Sequence, residues 1–92
     1  LPSSFKDISY SIKDYSKMTE LEELLLNFQN KIIKNIYIFD YFRNEEKQEI
    51  KIGFRFTFQS NKSTLTSDQI DKVLNDVINE SLKIEGIEIP GL

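Results

Sequence analysis

The strongest structural constraint in this sequence is a strict alternation of apolar and polar residues over residues 51–58. A repeat of two is the side-chain period of a β-strand, in which successive side chains point to opposite faces of the sheet. The run therefore predicts a half-buried strand with one face on a core and the other in water. Its apolar positions are Ile52, Phe54, Phe56 and Phe58, and its polar positions are Lys51, Gly53, Arg55 and Thr57.

Two other stretches have the three- and four-residue spacing of amphipathic helices. The first begins after Thr19, which forms a capping-box pattern with Glu22, and it is predicted to end at Asn30. The second begins after Thr66, which forms the same pattern with Gln69. Such a box satisfies two backbone N–H groups that the start of a helix leaves unpaired. The apolar stripes are Leu21, Leu24, Leu25 and Phe28 in the first helix and Ile70, Val73, Leu74, Val77, Ile78 and Leu82 in the second.

Three further stretches favour strands. Residues 6–12 alternate, residues 32–42 are apolar on both faces so that their register stays open, and residues 87–89 form a short last strand. The polar segment 43–49 is predicted to connect a hairpin. The order strand–helix–strand–strand–helix–strand indicates an α+β, ferredoxin-like βαββαβ fold, with a four-stranded antiparallel sheet and two helices on one face. The other sheet face is then open, and the polar positions on it are Ser9, Ser11, Lys51, Gly53, Arg55 and Thr57.

The length of 92 residues allows one domain, residues 1–92, and the absence of Cys and His excludes large classes of chemistry. Disulfides, thiolate nucleophiles, zinc sites built on Cys or His and His-based acid–base catalysis each need a missing residue type. The chain has only 3 glycines, and none of them belongs to a phosphate-binding loop. The acidic residues are scattered over the outer faces of the predicted helices, as is usual for solvated helices. We therefore expect no catalytic residue and no metal site in this chain.

Charge divides the chain into segments of different sign. Residues 1–30 carry 3 basic and 5 acidic side chains, residues 31–65 carry 7 and 4, and residues 66–92 carry 2 and 6. The segment that holds the predicted hairpin is thus the only basic one, and it also contains most of the aromatic residues. Basic and aromatic residues interleaved on an open sheet suit single-stranded nucleic acid, where rings stack on bases and cations meet phosphates. In the competing interpretation the rings are core and the lysines protect a sheet edge; Phe42 is left open between the two.

Four runs of this sequence, residues 2–10, 36–43, 53–58 and 63–66, occur together in one known family. They resemble the ferredoxin-fold anticodon-binding (FDX-ACB) domain at the C-terminal end of phenylalanyl-tRNA synthetases, and look most like the organellar, single-chain enzymes. The resemblance covers essentially the whole chain. It implies that the chain is one domain of a phenylalanine–tRNA ligase, whose ATP-dependent attachment of phenylalanine to its tRNA takes place in a catalytic module upstream.

The resemblance also implies cofactors, partners and location. No cofactor is expected in this domain, because ATP and Mg would belong to the catalytic module of the parent enzyme. The partners would be the anticodon stem-loop of tRNA(Phe) and the remainder of the synthetase, with no membrane and no DNA. The location would be an organelle, either a mitochondrion or a plastid, and otherwise the cytoplasm.

Two residues carry the recognition that the resemblance implies. In the family, an Asp and an aromatic residue two positions later on the second strand receive the first anticodon base, a guanine; the matching residues here are Asp40 and Phe42. A carboxylate accepts both the N1–H and the exocyclic amine of guanine, a donor pair that adenine lacks, while the ring stacks on the base. The remaining expected RNA contacts are phosphate attraction by Lys51 and Arg55 and minor polar contacts by Ser9 and Ser11.

The direction of Ile36 and Ile38 is left open by this interpretation. Strand alternation puts both on the face of Asp40 and Phe42, so either a bulge rotates the strand or another part of the parent enzyme covers them.

Two rival functions follow from the same fold. One is a protein-interaction module that buries Ile36 and Ile38 against a partner. The other is a small-ligand regulatory module, which the lack of glycine in residues 13–18 disfavours.

Overall fold

Six elements form the fold, in the order β1 (Ser4–Ile12), α1 (Lys17–Leu26), β2 (Ile33–Asn44), β3 (Glu49–Phe58), α2 (Ser67–Ser81) and β4 (Ile87–Glu88). The computed structural model describes residues 3–92; Pro2, which belongs to one of the compared runs, lies outside the described residues. The strands form one sheet in the order β2-β3-β1-β4, and every neighbouring pair is antiparallel. The predicted ferredoxin-like α+β architecture is confirmed.

The core lies between the sheet and the two helices. The predicted apolar face of β3 is buried throughout, and Ile8, Tyr10 and Ile12 of β1 are buried beside it. Each fully buried aliphatic or aromatic side chain contributes about 1.5–3 kcal/mol to folding. The one tyrosine in the core, Tyr10, donates a hydrogen bond from its hydroxyl to Oγ of Ser81 over 2.9 Å, and burial raises its pKa to about 12. The buried apolar residues are Ile8, Tyr10, Ile12, Leu21, Leu25, Ile50, Ile52, Phe54, Phe56, Phe58, Ile70, Val73, Val77, Ile84 and Ile87.

The start of α2 agrees with the sequence, and the limits of α1 do not. Thr66 caps α2, its Oγ1 accepting the Gln69 N–H over 3.2 Å and its own N–H donating to Gln69 Oε1 over 2.8 Å. In α1 the capping residue is Ser16, so the capping box predicted at Thr19 is wrong. The helix starts earlier because Oδ1 of Asp14 accepts both the N–H and the hydroxyl of Ser16 and so folds the preceding turn.

The end of α1 also differs from the prediction. The helix ends at Leu26, with Asn27 as its C-terminal capping residue, and Asn30 lies four residues beyond that end. Among residues 3–92 only Gln48 and two glycines have a positive φ, so Asn30 does not adopt the left-handed conformation that the prediction required. Its side chain instead accepts a hydrogen bond from the Ile32 N–H over 3.0 Å, which shapes the entry to β2.

A bulge in β2 decides which of its side chains face the helices. Ile36 pairs with Phe56 and Ile38 pairs with Phe54, and directly opposed residues share a face, so these two isoleucines point towards the helices. After Ile38 the pairing shifts by one residue, which leaves Phe39 as the extra residue of the bulge. The bulge is therefore the correct alternative of the two that the sequence left open. Ile36 and Ile38 are therefore absent from the open face, where the protein-interaction rival would bury them against a partner.

One further result concerns membranes. Within residues 3–92, neither helix has the length and the apolar character that crossing a bilayer requires.

Candidate nucleic-acid interface

The bulge places Asp40 and Phe42 on the open face of the sheet. Beyond it, Asp40 pairs with Gly53 and Phe42 pairs with Lys51, and both partners belong to the polar face of β3. Phe42 is 58% exposed and Asp40 is exposed as well. The Asp40 carboxylate has no hydrogen-bond or ion-pair partner within residues 3–92. Two carboxylate oxygens and a flat ring thus stand side by side on the face that the helices leave uncovered.

Gly53 opens a place for the ring of Phe39 beside this pair. A Cβ atom added to Gly53 would lie 2.6 Å from Cε1 and 2.8 Å from Cζ of Phe39, distances that real Cβ atoms do not show. The ring therefore lies directly over the glycine, on the same face as Asp40. Because Phe39 is the extra residue of the bulge, two consecutive side chains of β2 reach one face instead of opposite faces.

Arg55, for which the sequence analysis predicts phosphate attraction, lies next along β3 and is paired with a carboxylate. Its Nε donates to Oδ1 of Asp7 over 2.8 Å and its Nη2 donates to Oδ2 over 3.0 Å, a bidentate pair across β1 and β3. These hydrogen bonds to Asp7 are the main cause that raises the pKa of Arg55 further above its ordinary value. With its charge compensated by a carboxylate, Arg55 attracts phosphate much less than an unpaired arginine does. Phosphate attraction by Arg55 stays a prediction, and this pairing disfavours it.

The guanidinium of Arg55 also packs against two aromatic rings. Its Cζ lies 4.1 Å from the ring centre of Phe5 and 4.7 Å from that of Phe39, within the range of cation–π contacts. Phe5 is 54% exposed and Phe39 is 40% exposed. We call the group of Phe5, Arg55 and Phe39 the Arg55 stack.

The remaining predicted contacts divide into accessible and inaccessible ones. Lys51 is exposed and makes no ion pair in the described part of the chain, so its charge faces solvent uncompensated. Ser9 is exposed and pairs with Gly53, next to Asp40. Ser11 is only 4% exposed, and its hydroxyl donates to Oε2 of Glu49 over 2.8 Å. The expectation that Ser11 is available for RNA contact is wrong, because β3 and β4 flank it on both sides.

Metal binding has no evident site on this face. In the part of the chain that the structure describes, no three acidic side chains converge as ligands for an ion.

Comparison with known proteins finds one family model and several relatives. The family model of the ferredoxin-fold anticodon binding domain matches residues 1–89. The chain belongs to this family. The FDX-ACB domain is 36% identical over 72 residues to the chloroplastic phenylalanine–tRNA ligase beta subunit of Pyropia yezoensis, which covers 76% of this chain and 10% of the relative. It is 26% identical over 90 residues to the phenylalanine–tRNA ligase beta subunit of Syntrophus aciditrophicus, which covers 96% of this chain and 11% of the relative.

A third relative differs in type. The chloroplastic/mitochondrial phenylalanine–tRNA ligase of Arabidopsis thaliana is 24% identical over 88 residues, covering 96% of this chain and 20% of that protein. The chain thus spans between a tenth and a fifth of the length of these three relatives. Chloroplastic and bacterial beta subunits are both among the relatives, so the chloroplastic ones support an organellar type but not uniquely.

Three residues that shape this face of the FDX-ACB domain were missed in the sequence analysis. Phe5 precedes the strand predicted over residues 6–12 and Asp7 lies within it, and only the folded structure shows that both meet Arg55. Phe39 was part of an apolar run whose facing could not be assigned. A signal for it was present nevertheless: an isolated glycine in a strand, here Gly53, often marks a bulge or a close approach of another group.

Proposed function

We propose that this FDX-ACB domain binds the anticodon loop of tRNA(Phe) on its open sheet face, with the first anticodon base, a guanine, held by Asp40 and Phe42. The observation that carries this proposal is the unpaired, exposed carboxylate of Asp40 beside the exposed ring of Phe42. A charged group without a protein partner, on a face lined with aromatic rings, has the character of a binding residue and adds little to folding.

The chemistry of the pair selects guanine. Each oxygen of the Asp40 carboxylate can accept one of two adjacent donors, the N1–H and the exocyclic amine. Adenine offers an acceptor at N1, so the carboxylate meets a like partial charge and loses both hydrogen bonds. Hydrogen bonds to a charged group contribute about 1.5–3 kcal/mol each. Stacking on Phe42 adds about 1–3 kcal/mol and favours no particular base.

Lys51 supplies the phosphate contact in this proposal. It is exposed and pairs with Phe42 on the same face, so its ammonium can reach a phosphate of the nucleotide that stacks on that ring. Because the chain carries a net charge of −3 and Arg55 is already paired with Asp7, few cations are available for phosphates. Binding to the isolated domain is therefore expected to be weak and sensitive to salt.

The proposal extends to the parent protein. The identities of the relatives support a phenylalanine–tRNA ligase, in which this domain positions the tRNA while ATP and Mg serve a catalytic module outside residues 1–92. The remainder of the synthetase is then the protein partner of this domain. Chloroplastic relatives favour a plastid-type enzyme, whereas the Syntrophus relative is bacterial. Neither catalytic residues nor a cofactor of its own are assigned to this domain.

Titration with an anticodon stem-loop tests the proposal. Fluorescence anisotropy would compare loops that carry guanine or adenine at the first anticodon position, using the wild-type chain and the variant Asp40→Asn. The matched control is Asp71→Asn, an exposed aspartate of α2 on the opposite side of the sheet. Wild type and control are expected to prefer guanine, and Asp40→Asn is expected to lose that preference. Equal affinity of the wild type for both loops would refute the proposal.

A further inference from the structure

The proposed recognition of guanine by Asp40 and Phe42 does not involve the Arg55 stack. Its two rings lie on the same face as Asp40, and each is exposed over roughly half of its surface even though both touch the guanidinium. Along β3, Arg55 is two residues from Gly53, the residue opposite Asp40, which corresponds to roughly 7 Å. Phe42 lies on the other side of Asp40, opposite Lys51. A nucleotide held at Asp40 therefore has the Arg55 stack within reach of its neighbour in the RNA chain.

We infer that the Arg55 stack is a second nucleobase platform, which receives the unpaired nucleotide adjacent to the one at Asp40 and Phe42. This inference rests on the proposed function and deepens it, because the site then takes two consecutive nucleotides. Aromatic rings and the planes of arginine guanidinium groups are the surfaces on which proteins stack unpaired bases.

The hydrogen bonds of Arg55 decide that the platform binds a base and not a phosphate. The Nε and one Nη2 hydrogen are directed at Asp7, and the carboxylate compensates the charge. An arginine paired in this way has used its Nε–Nη2 edge on a carboxylate, and that edge is no longer available to a phosphate. Asp7 therefore acts as a positioning residue that holds the guanidinium against the rings of Phe5 and Phe39.

The same pairing makes the platform tolerant of base identity. The rings of Phe5 and Phe39 offer no hydrogen-bonding groups, and Arg55 already has Asp7 and Tyr37 as hydrogen-bond partners. Every base has a π-face, so stacking alone does not discriminate between bases. The two nucleotides are thus treated differently, the first by its hydrogen-bonding edge and its neighbour by its flat face only.

Abasic substitutions in the stem-loop provide the test. Affinities would be measured for an intact loop and for two loops that lack the base on the 5′ or the 3′ side of the first anticodon position. Phe39→Leu keeps an apolar side chain on the bulge and removes the ring, and it is expected to weaken binding of the intact loop between about fivefold and a hundredfold. The same variant should bind one of the two abasic loops as well as the wild type does. Base exchanges at that neighbouring position should alter wild-type affinity by less than about threefold.

Two controls separate a binding role from a structural one. Tyr41→Leu removes a neighbouring ring that pairs with Ile52 and so lies on the helix side of the sheet, and it should leave all affinities unchanged. Gly53→Ala displaces the Phe39 ring without changing Phe39 itself, and it should reproduce the loss seen with Phe39→Leu. Thermal unfolding of each variant verifies that the domain remains folded.

Failure of this inference differs from failure of the proposed function. If the wild type prefers guanine to adenine but Phe39→Leu weakens neither the intact nor any abasic loop, the second platform is refuted and the role of Asp40 stands. An equal loss for the intact loop and both abasic loops would also refute it, because the ring would then act only through the fold. If the wild type shows no preference for guanine, the proposed function itself fails.

Discussion

Asp40 and Asp7 lie on the same face of one sheet, but only one of the two carboxylates has a partner in the described part of the protein. Asp7 is engaged by both of its oxygens with Arg55, whereas Asp40 has no partner within residues 3–92. The rings beside them differ in the same way: Phe39 packs on a guanidinium and over Gly53, and Phe42 is free of recorded ring contacts in the described structure. The polar and aromatic groups around Arg55 therefore contact one another, whereas Asp40 and Phe42 remain available to a ligand.

This difference indicates how a small sheet divides the work of RNA recognition. Groups with unused hydrogen-bonding capacity can distinguish bases, because they gain a bond with the correct base and lose one with the wrong base. Groups that are already hydrogen-bonded to each other present a fixed surface, and such a surface suits stacking on any base. The predictions that follow either abolish this contrast or measure its size.

The largest effect is expected from removing the free ring. Phe42→Leu should lower the affinity for the stem-loop by about 1–3 kcal/mol, because stacking on the first base is lost. The loss should be the same for loops with guanine or adenine at that position, since the ring does not read the base edge. Anisotropy titrations of both loops measure this, and a loss confined to the guanine loop would contradict the assignment of roles.

A second variant would free the charge of Arg55 from its ion pair with Asp7. Asp7→Asn removes the charge that compensates Arg55, so the guanidinium should gain a phosphate contact and the salt dependence of binding should steepen. One added phosphate contact corresponds to a change of about 0.7 in the slope of log affinity against log salt for a single strand. The free energy of unfolding should fall by no more than about 1 kcal/mol, because the ion pair is partly solvated.

Titrations at four or five salt concentrations give that slope. An unchanged slope in Asp7→Asn would show that Arg55 does not exchange its carboxylate partner for a phosphate. The control is Lys83→Gln, which breaks the exposed pair of Lys83 with Glu80 beyond the end of α2 and should leave the slope as it is.

The smallest effects concern the two serines of β1. Ser11→Ala should lower the free energy of unfolding by about 1 kcal/mol without changing RNA affinity, because its hydroxyl is buried and bonded to Glu49. Ser9→Ala should leave stability unchanged and alter the affinity by less than about threefold. Chemical denaturation together with anisotropy resolves the two cases, and weakened binding in a folded Ser11→Ala variant would contradict the structural assignment.

Much of the fold could be predicted from the sequence because its elements have clear periods. The alternation in residues 51–58 and the apolar stripe that includes Val73 and Val77 are local patterns, and both elements were placed correctly. The capping box at Thr66 was equally local. At Thr19 the same pattern was misleading, because the Asp14 side chain had already started the helix three residues earlier.

The candidate site was less predictable because it depends on pairing between strands. Asp40 and Phe42 came from a resemblance, and alternation within β2 could not decide where Ile36 and Ile38 point. The bulge at Phe39 puts both isoleucines on the helix side of the sheet and sets the Phe39 ring over Gly53. Likewise, the charge of Arg55 is visible in the sequence, but its partner Asp7 lies 48 residues away and is known only from the register of β1 and β3.

The central claim is that the two oxygens of Asp40 accept the two donors of guanine, and replacing that guanine with inosine tests it most directly. Inosine keeps the N1–H and lacks the exocyclic amine, so one hydrogen bond to the carboxylate is removed. For the wild-type chain the account predicts an affinity loss of about tenfold or more, and for Asp40→Ala it predicts no difference between the two loops. Equal binding of guanine and inosine loops by the wild type, or the same loss in Asp40→Ala, would contradict it.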